Sequence, residues 1–200
     1  MGEEIGVGPW EGPWPDSLVY DEQLLREGDR RNVVDRYRYW SVAAIRADLV
    51  RRAHSFHVAI ENFQHDFNIG AVVRNANAFL AAGVHIIGER RWNRRGAMMT
   101  EVYQQIVHHA TLEDFATWAR DRGLPVVGID NLPGAVPIDR AEIPPACVLL
   151  FGQEGPGLSP GARALADEVM AMRQFGSTRS INAGAASAIA MHEWVRRHVP

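Results

Sequence analysis

Lysine is absent from these 200 residues, and all 21 basic side chains are arginine. A phosphate loop of the G-x-x-x-x-G-K-[ST] type is thereby excluded, because its lysine is what reaches the terminal phosphates. Cysteine is nearly absent as well. The one present, Cys147, sits in the apolar run "ACVLLFG", which rules out an internal disulfide or a thiolate metal cluster and suits a small buried hydrophobe. No run reaches the roughly 18 to 20 apolar residues of a membrane span. The acidic start "MGEEIGVGPWEGPWPD" lacks the basic-then-apolar layout of a secretory signal. The expectation is a cytoplasmic protein with no membrane partner. Also missing are a G-x-G-x-x-G after an early strand, a G-x-S-x-G elbow and an H-E-x-x-H pair. His108 and His109 are adjacent in a predicted strand and point to opposite faces, which is poor geometry for a shared metal.

What is present suits one domain with a sizeable core plus an appendage: 46% hydrophobic and 22% charged residues, with a net charge of −3. That balance argues against holding nucleic acid by bulk electrostatics, though not against a local basic patch. The uniform use of arginine reads first as compositional bias. Two clusters rise above it: "RRWNRRG" from Arg90 to Gly96, with four arginines around Trp92, and the segment from Arg26 to Arg52, with eight. Six acidic residues from Asp21 to Asp48 offset the second cluster, so a solvated helix face or a subunit contact explains it as well as RNA does.

Along the chain, residues 1 to 19 read as an irregular arm whose tryptophans need something to pack on. Helical signals follow to Arg52, with Ser41 as a cap and Val42, Ile45 and Leu49 on one stripe. Residues 1–53 are thus an extension, and 54–200 the main domain. From Ser55 short β-branched runs alternate with helices, the pattern of a parallel sheet covered on both faces. "FHVAIEN", "VHIIG", "QIVHHA", "PVVGID", "CVLLFG" and "EVMAM" make about six strands. A helix from about Asn68 to Ala82 closes at Gly83, and Arg74 interrupts what the pattern marks as its buried face. Thr111 with Asp114 forms a capping box, Gly123 stops that helix, and Ser159-Pro160 opens another. "NAGAASAIAMHEWVRRH" is the closing helix.

In open parallel sheets ligands bind beyond the carboxyl ends of strands. Three such places hold unusual residues. The first strand is followed by Asn62, His65, Asn68, Gly70 and Arg74. "CVLLFG" runs on into "FGQEGPGLSP", with Gly152, Glu154 and Gly157. "EVMAM" runs on into "QFGSTRSINAG", with Gly176, Ser180 and Asn182.

These segments, in this order and spacing, resemble the three motifs of the SpoU (TrmH) branch of the SPOUT methyltransferases. "NFQHDFNIGAVVRNANAF" carries the first motif, "VLLFGQEGPGLS" the second and "GSTRSINAGAASAIAMHEW" the third, together spanning about residues 55 to 198. The resemblance implies an α/β fold with a mainly parallel sheet and a C-terminal trefoil knot, an exception to the rule against threaded loops. It also implies S-adenosyl-L-methionine as cofactor, a homodimer, and methylation of a ribose 2′-hydroxyl in tRNA or rRNA. Met172-Arg173 stands where the family has isoleucine-proline, and Ala183-Gly184 where it has valine-serine. Both differences bear on cofactor affinity more than on reaction type.

On the same resemblance, Arg74 is the residue that acts on the hydroxyl. A guanidinium is a poor base, and pinning a phosphate while stabilising a developing alkoxide is its easier role. The base role stays open through a substrate phosphate. Glu154 is expected to orient Arg74, Asn68 and Asn182 to fix ribose or backbone groups, and Ser180 to donate to substrate or hold its loop. Backbone around Ile129, Gly152, Met172 and Ile181 is expected to line the adenosine pocket, and Arg90, Arg91, Arg94 and Arg95 to grasp RNA. Taken singly these residues have ordinary readings: Arg74 a surface charge, Glu154 a solvated turn, Ser180 and Asn182 helix caps. A non-catalytic knotted RNA-binding protein is the competing function. A small-molecule-binding α/β protein is a third, disfavoured by the missing phosphate loops.

Overall fold

The β-branched runs assemble into one seven-stranded sheet in a computed structural model that describes residues 6–63 and 68–200. The strands are β1 (His57–Asn62), β2 (Val84–Gly88), β3 (Ile106–His109), β4 (Val126–Ile129), β5 (Val136–Pro137), β6 (Val148–Phe151) and β7 (Glu168–Ala171). Their order is β3-β2-β1-β6-β4-β7-β5, and every pairing is parallel. Six strands fall where the sequence places them. The seventh, β5, is a two-residue edge strand ending in proline, too short to show any alternation.

Successive β1 residues point to opposite faces and so feed two cores. Val58 and Ile60 join Val72, Val73 and Ala76 of α3 (Ile69–Ala78) and Met191 and Trp194 of α6 (Ala183–His198). Ala59 joins Phe115 and Ala119 of α4 (Leu112–Asp121) and Ala162 of α5 (Pro160–Leu165). Helices thus cover both faces. On the second face a row of imidazoles crosses three strands. His57 Nδ1 lies 3.1 Å from His85 Nε2, and His85 Nδ1 lies 2.8 Å from His109 Nε2, with the Trp118 ring tilted against the His85 ring at 3.8 Å between centroids. His108 points the other way, to the Gly88 carbonyl.

Caps set the helix ends. Thr111 and Asp114 form the expected capping box, Gly123 turns with φ 61°, Ser159 caps α5 ahead of Pro160, and Asn182 caps α6. The helix predicted to run to Ala82 stops earlier. Leu80 takes the left-handed turn (φ 57°) after Ala78, with Phe79 N–H bonded to Asn75 O and Ala81 N–H to Ala76 O. Gly83 is therefore not the helix stop. It sits beside His57, where an added Cβ would lie 3.3 Å from Nδ1.

The chain divides into two units, Met1–Arg52 and Ala53–Pro200. The first holds α1 (Glu22–Glu27), capped by Asp21, and α2 (Val42–Arg52), capped by Ser41 Oγ on Ala44 N–H at 3.2 Å. The stripe expected on α2 is only partly buried: Ile45 is, but Val42 is exposed. Asp48 takes the second buried position, where it accepts from the Tyr37 hydroxyl and pairs with Arg36, Arg51 and Arg52. Asp29 likewise pairs with Arg31. Trp10 packs edge-on to Tyr39. Much of the arginine excess is thus consumed within the unit. Among the described residues no helix is long and apolar enough to cross a membrane.

Candidate active site

At the carboxyl end of β6 the chain must fold back on itself at once. An added Cβ on Gly152 would lie 2.0 Å from Gly157 C and 2.1 Å from Leu158 N, so only glycine fits. Gln153 and Gly157 exchange both backbone hydrogen bonds (3.1 and 2.9 Å), and Gly157 closes the turn at φ 70°. Three side chains hold this loop against its neighbours. Asp130 Oδ2 accepts from Leu158 N–H (2.9 Å), Glu61 Oε2 from Ser159 N–H (2.8 Å), and Gln153 Oε1 from Phe63 N–H (2.8 Å). Asn131 Nδ2 donates to Arg179 O at 2.9 Å, tying the end of β4 to the loop before α6.

Between these loops lies a cavity of about 250 Å³. Ile129, Gly152, Met172 and Ile181, the four expected cofactor contacts, all line it, as do Glu154, Ser180 and Asn182. Its wall combines apolar side chains such as Phe151 and Ala186 with backbone amide groups and two carboxylates, Asp130 and Glu154. That mixture suits a flat apolar ring joined to a positively charged tail.

Asn68, Glu154 and Asn182 meet at the edge of the cavity. Asn182 Nδ2 donates to Asn68 Oδ1 at 2.7 Å and lies 3.4 Å from Glu154 Oε1, while Asn68 Nδ2 donates to Glu154 Oε2. Asn182 also caps α6 by accepting from Ala185 N–H at 3.2 Å. The Ser180 hydroxyl, by contrast, makes no cap.

Two expectations about Arg74 are corrected. It does not interrupt a buried face: the buried stripe of α3 is Ile69, Gly70, Val72, Val73 and Ala76, and Arg74 is exposed. Nor does Glu154 orient it. Among the described residues Arg74 forms no hydrogen bond or ion pair, and Glu154 turns to the two asparagines instead. The helix itself is held from two sides. Asn75 Nδ2 donates to Gly184 O (2.8 Å) and Ser187 Oγ (2.9 Å) on α6, and an added Cβ on Gly70 would lie 2.8 Å from Ala97 N in the loop after β2. That contact brings the segment of Arg90, Arg91, Arg94 and Arg95 to the start of α3. His65 lies outside the described residues.

Sequence reasoning missed Asp130, Gln153 and Glu61 as loop anchors. Asp130 had a usable signal, since it directly follows β4 at the carboxyl end of the sheet. Gln153 and Glu61 had none.

Residues 55–192 match the model of the SpoU rRNA Methylase family. A Mycolicibacterium smegmatis chain named an uncharacterized tRNA/rRNA methyltransferase is 31% identical over 166 residues, covering 78% of this chain and 50% of that one. The tRNA (guanosine(18)-2′-O)-methyltransferase of Escherichia coli is 28% identical over 152 residues, covering 74% of this chain and 66% of that one. The structure of an AdoMet-bound rRNA methyltransferase from Sinorhizobium meliloti superposes with a TM-score of 0.65 at 26% identity, covering 76% of this chain and 61% of that one. The present chain spans about half the length of the first of these relatives.

Proposed function

This chain belongs to the SpoU rRNA Methylase family, and from that membership we propose that it transfers the methyl group of S-adenosyl-L-methionine to a ribose 2′-hydroxyl of tRNA or rRNA. The observation that carries the reading is the Asn68–Glu154–Asn182 cluster at the edge of a cavity whose floor only glycine can form, with an uncommitted Arg74 further along the same helix. The cavity fits the cofactor chemically: Ile129, Phe151, Met172 and Ile181 offer apolar walls to a base, and the Glu154 and Asp130 carboxylates favour a cation. When bound there, the cofactor supplies an already activated methyl group on its sulfonium.

The difficulty left to the protein is the acceptor, a weakly nucleophilic hydroxyl that must be held in line while its proton leaves. Arg74, exposed and unpaired among the described residues, is placed to take a substrate phosphate bidentately and to stabilise negative charge growing on the ribose oxygen. Asn68 and Asn182 are fixed by their bonds to one another and to Glu154, so they present polar groups at a defined place. Ser180 lines the same cavity with a hydroxyl available to substrate. Arg90, Arg91, Arg94 and Arg95 hold RNA phosphates.

In this proposal the segment from β6 to α6 is the knotted cradle of the family, supported by the close passage of Gly152 against Gly157 and the tie from Asn131 to Arg179. A second copy completes the site as a homodimer, supported by the exposed apolar side chains Phe175 and Ile189 in the loop before α6 and on α6. A cytoplasmic location follows from the substrate.

The test is transfer of labelled methyl groups to total tRNA and rRNA, followed by mapping of ribose methylation. Arg74→Ala is expected to lower the rate by about 10²- to 10³-fold with unchanged cofactor affinity. Wild-type rates in that variant would remove Arg74 from the mechanism. RNA binding without any transfer would instead select the non-catalytic RNA-binding alternative.

A further inference from the structure

The loop after β2 does more than add charge. Asn62, the last residue of β1, donates Nδ2 to Glu89 O (2.7 Å) and Arg91 O (2.9 Å). At its other end, an added Cβ on Gly96 would lie 3.0 Å from Ala71 N. Both contacts fix the loop to elements that carry the candidate active site. Arg90, Arg91, Arg94 and Arg95 are exposed on it, and among the described residues none of the four has an ion-pair partner. Arg94 lies 5.8 Å above the Trp92 ring.

After Arg95, Gly96 and Ala97 come Met98 (φ 49°) and Met99 (φ 69°), two consecutive left-handed residues. Side chains with a Cβ rarely adopt that conformation, and such outliers persist only where the surroundings enforce them, clustering at active sites, ligand clamps and switch regions. Here the buried Ala97, whose carbonyl accepts from Thr100 Oγ1 at 2.6 Å, holds the turn. Glycines would sit there without strain. Instead the chain places two long apolar side chains in water, 52% and 64% exposed, beside four unpaired guanidiniums.

We infer that this loop is a preformed reader of unpaired RNA, in which the arginines hold consecutive phosphates and the Met98-Met99 step packs against a nucleobase turned out of its stack. The inference rests on the proposed RNA substrate and narrows it. Four like charges select a polyanion. The methionine pair selects one with accessible base faces, because in duplex RNA the bases are stacked and the major groove is too deep and narrow for side chains to read. The polarizable thioether suits contact with a flat aromatic base.

The experiment compares binding of a labelled hairpin with an open loop and a blunt duplex of the same stem. Met98→Gly/Met99→Gly relieves the positive φ while deleting the apolar surface, and a Tm measured alongside separates lost contact from unfolding. The expected result is about fivefold weaker hairpin binding, near the lower end for one stacked base, with duplex affinity unchanged and no fall in Tm. Met98→Leu/Met99→Leu, which keeps apolar bulk, is expected to bind the hairpin nearly as wild type. Wild-type hairpin affinity in the glycine pair overturns the inference, and so does an equal loss on both RNAs. A shift of the glycine pair to monomer in light scattering also overturns it, by assigning the step to a protein interface. Absence of methyl transfer alongside the expected binding pattern would sink only the enzymatic reading.

Discussion

Acid is expected to weaken this fold well before its carboxylates titrate, through the row His57, His85 and His109. Burial, then the neighbouring imidazoles and Arg122, pushes the His85 pKa from its ordinary 6.5 down to about 2. His57 is lowered to about 4, mainly by burial, and His109 is lowered for the same first reason. The sign follows from proton counting. An unfolded histidine takes up a proton as pH falls through 6.5, while the folded one stays neutral. The stability that His85 contributes is therefore fully present above 6.5 and lost steadily below it. Each pH unit in that window is about 1.4 kcal/mol, so His85 alone makes the fold about 2 to 3 kcal/mol less stable two units below 6.5. Equilibrium urea unfolding from pH 7.5 to about 4.5 reads this by tryptophan fluorescence, the Trp118 ring lying 3.8 Å from that of His85. In His85→Gln, whose amide can still donate to one neighbour and accept from the other, the pH dependence should flatten by about 2 kcal/mol. An equal slope in variant and wild type would show that His85 does not carry the pH dependence.

Three further outcomes are expected. Gly152→Ala forces a Cβ to within 2.0 Å of Gly157 C, so calorimetry should find cofactor binding weakened by about tenfold or more while circular dichroism shows the sheet retained. Asn75→Ala removes the two donors that tie α3 to α6 and should cost about 1 to 3 kcal/mol in urea unfolding. Gly70→Ala presses on the backbone of Gly96 and Ala97, and should weaken RNA binding in a titration by about fivefold or more while leaving cofactor affinity unchanged.

Local chemistry was legible where one short segment contains both partners. "VHIIG" forms β2 over Val84–Gly88, Thr111 and Asp114 cap each other three residues apart, and Asn182 caps the helix that begins next to it. The four residues expected around the cofactor do line one cavity. Arg74 was misplaced for an avoidable reason. Counting from Ile69, the buried stripe falls at Val72, Val73 and Ala76, which leaves Arg74 to one side. β5 was invisible because two residues carry no periodicity. Glu154 was assigned to Arg74 because an acid and a base in neighbouring motifs suggest an ion pair, yet the fold sets the carboxylate against two amides.

By itself, then, the sequence determined the alternation of strands and helices, their caps, the glycine turn after β6 and the motif residues, all of which depend on neighbours within a few positions. Only the tertiary structure decided who meets whom. Asn182 lies 114 residues from Asn68, and His85 28 residues from His57 and 24 from His109. Those meetings depend on the strand order and on how the loops fold back at the sheet's carboxyl edge, and no local propensity encodes either.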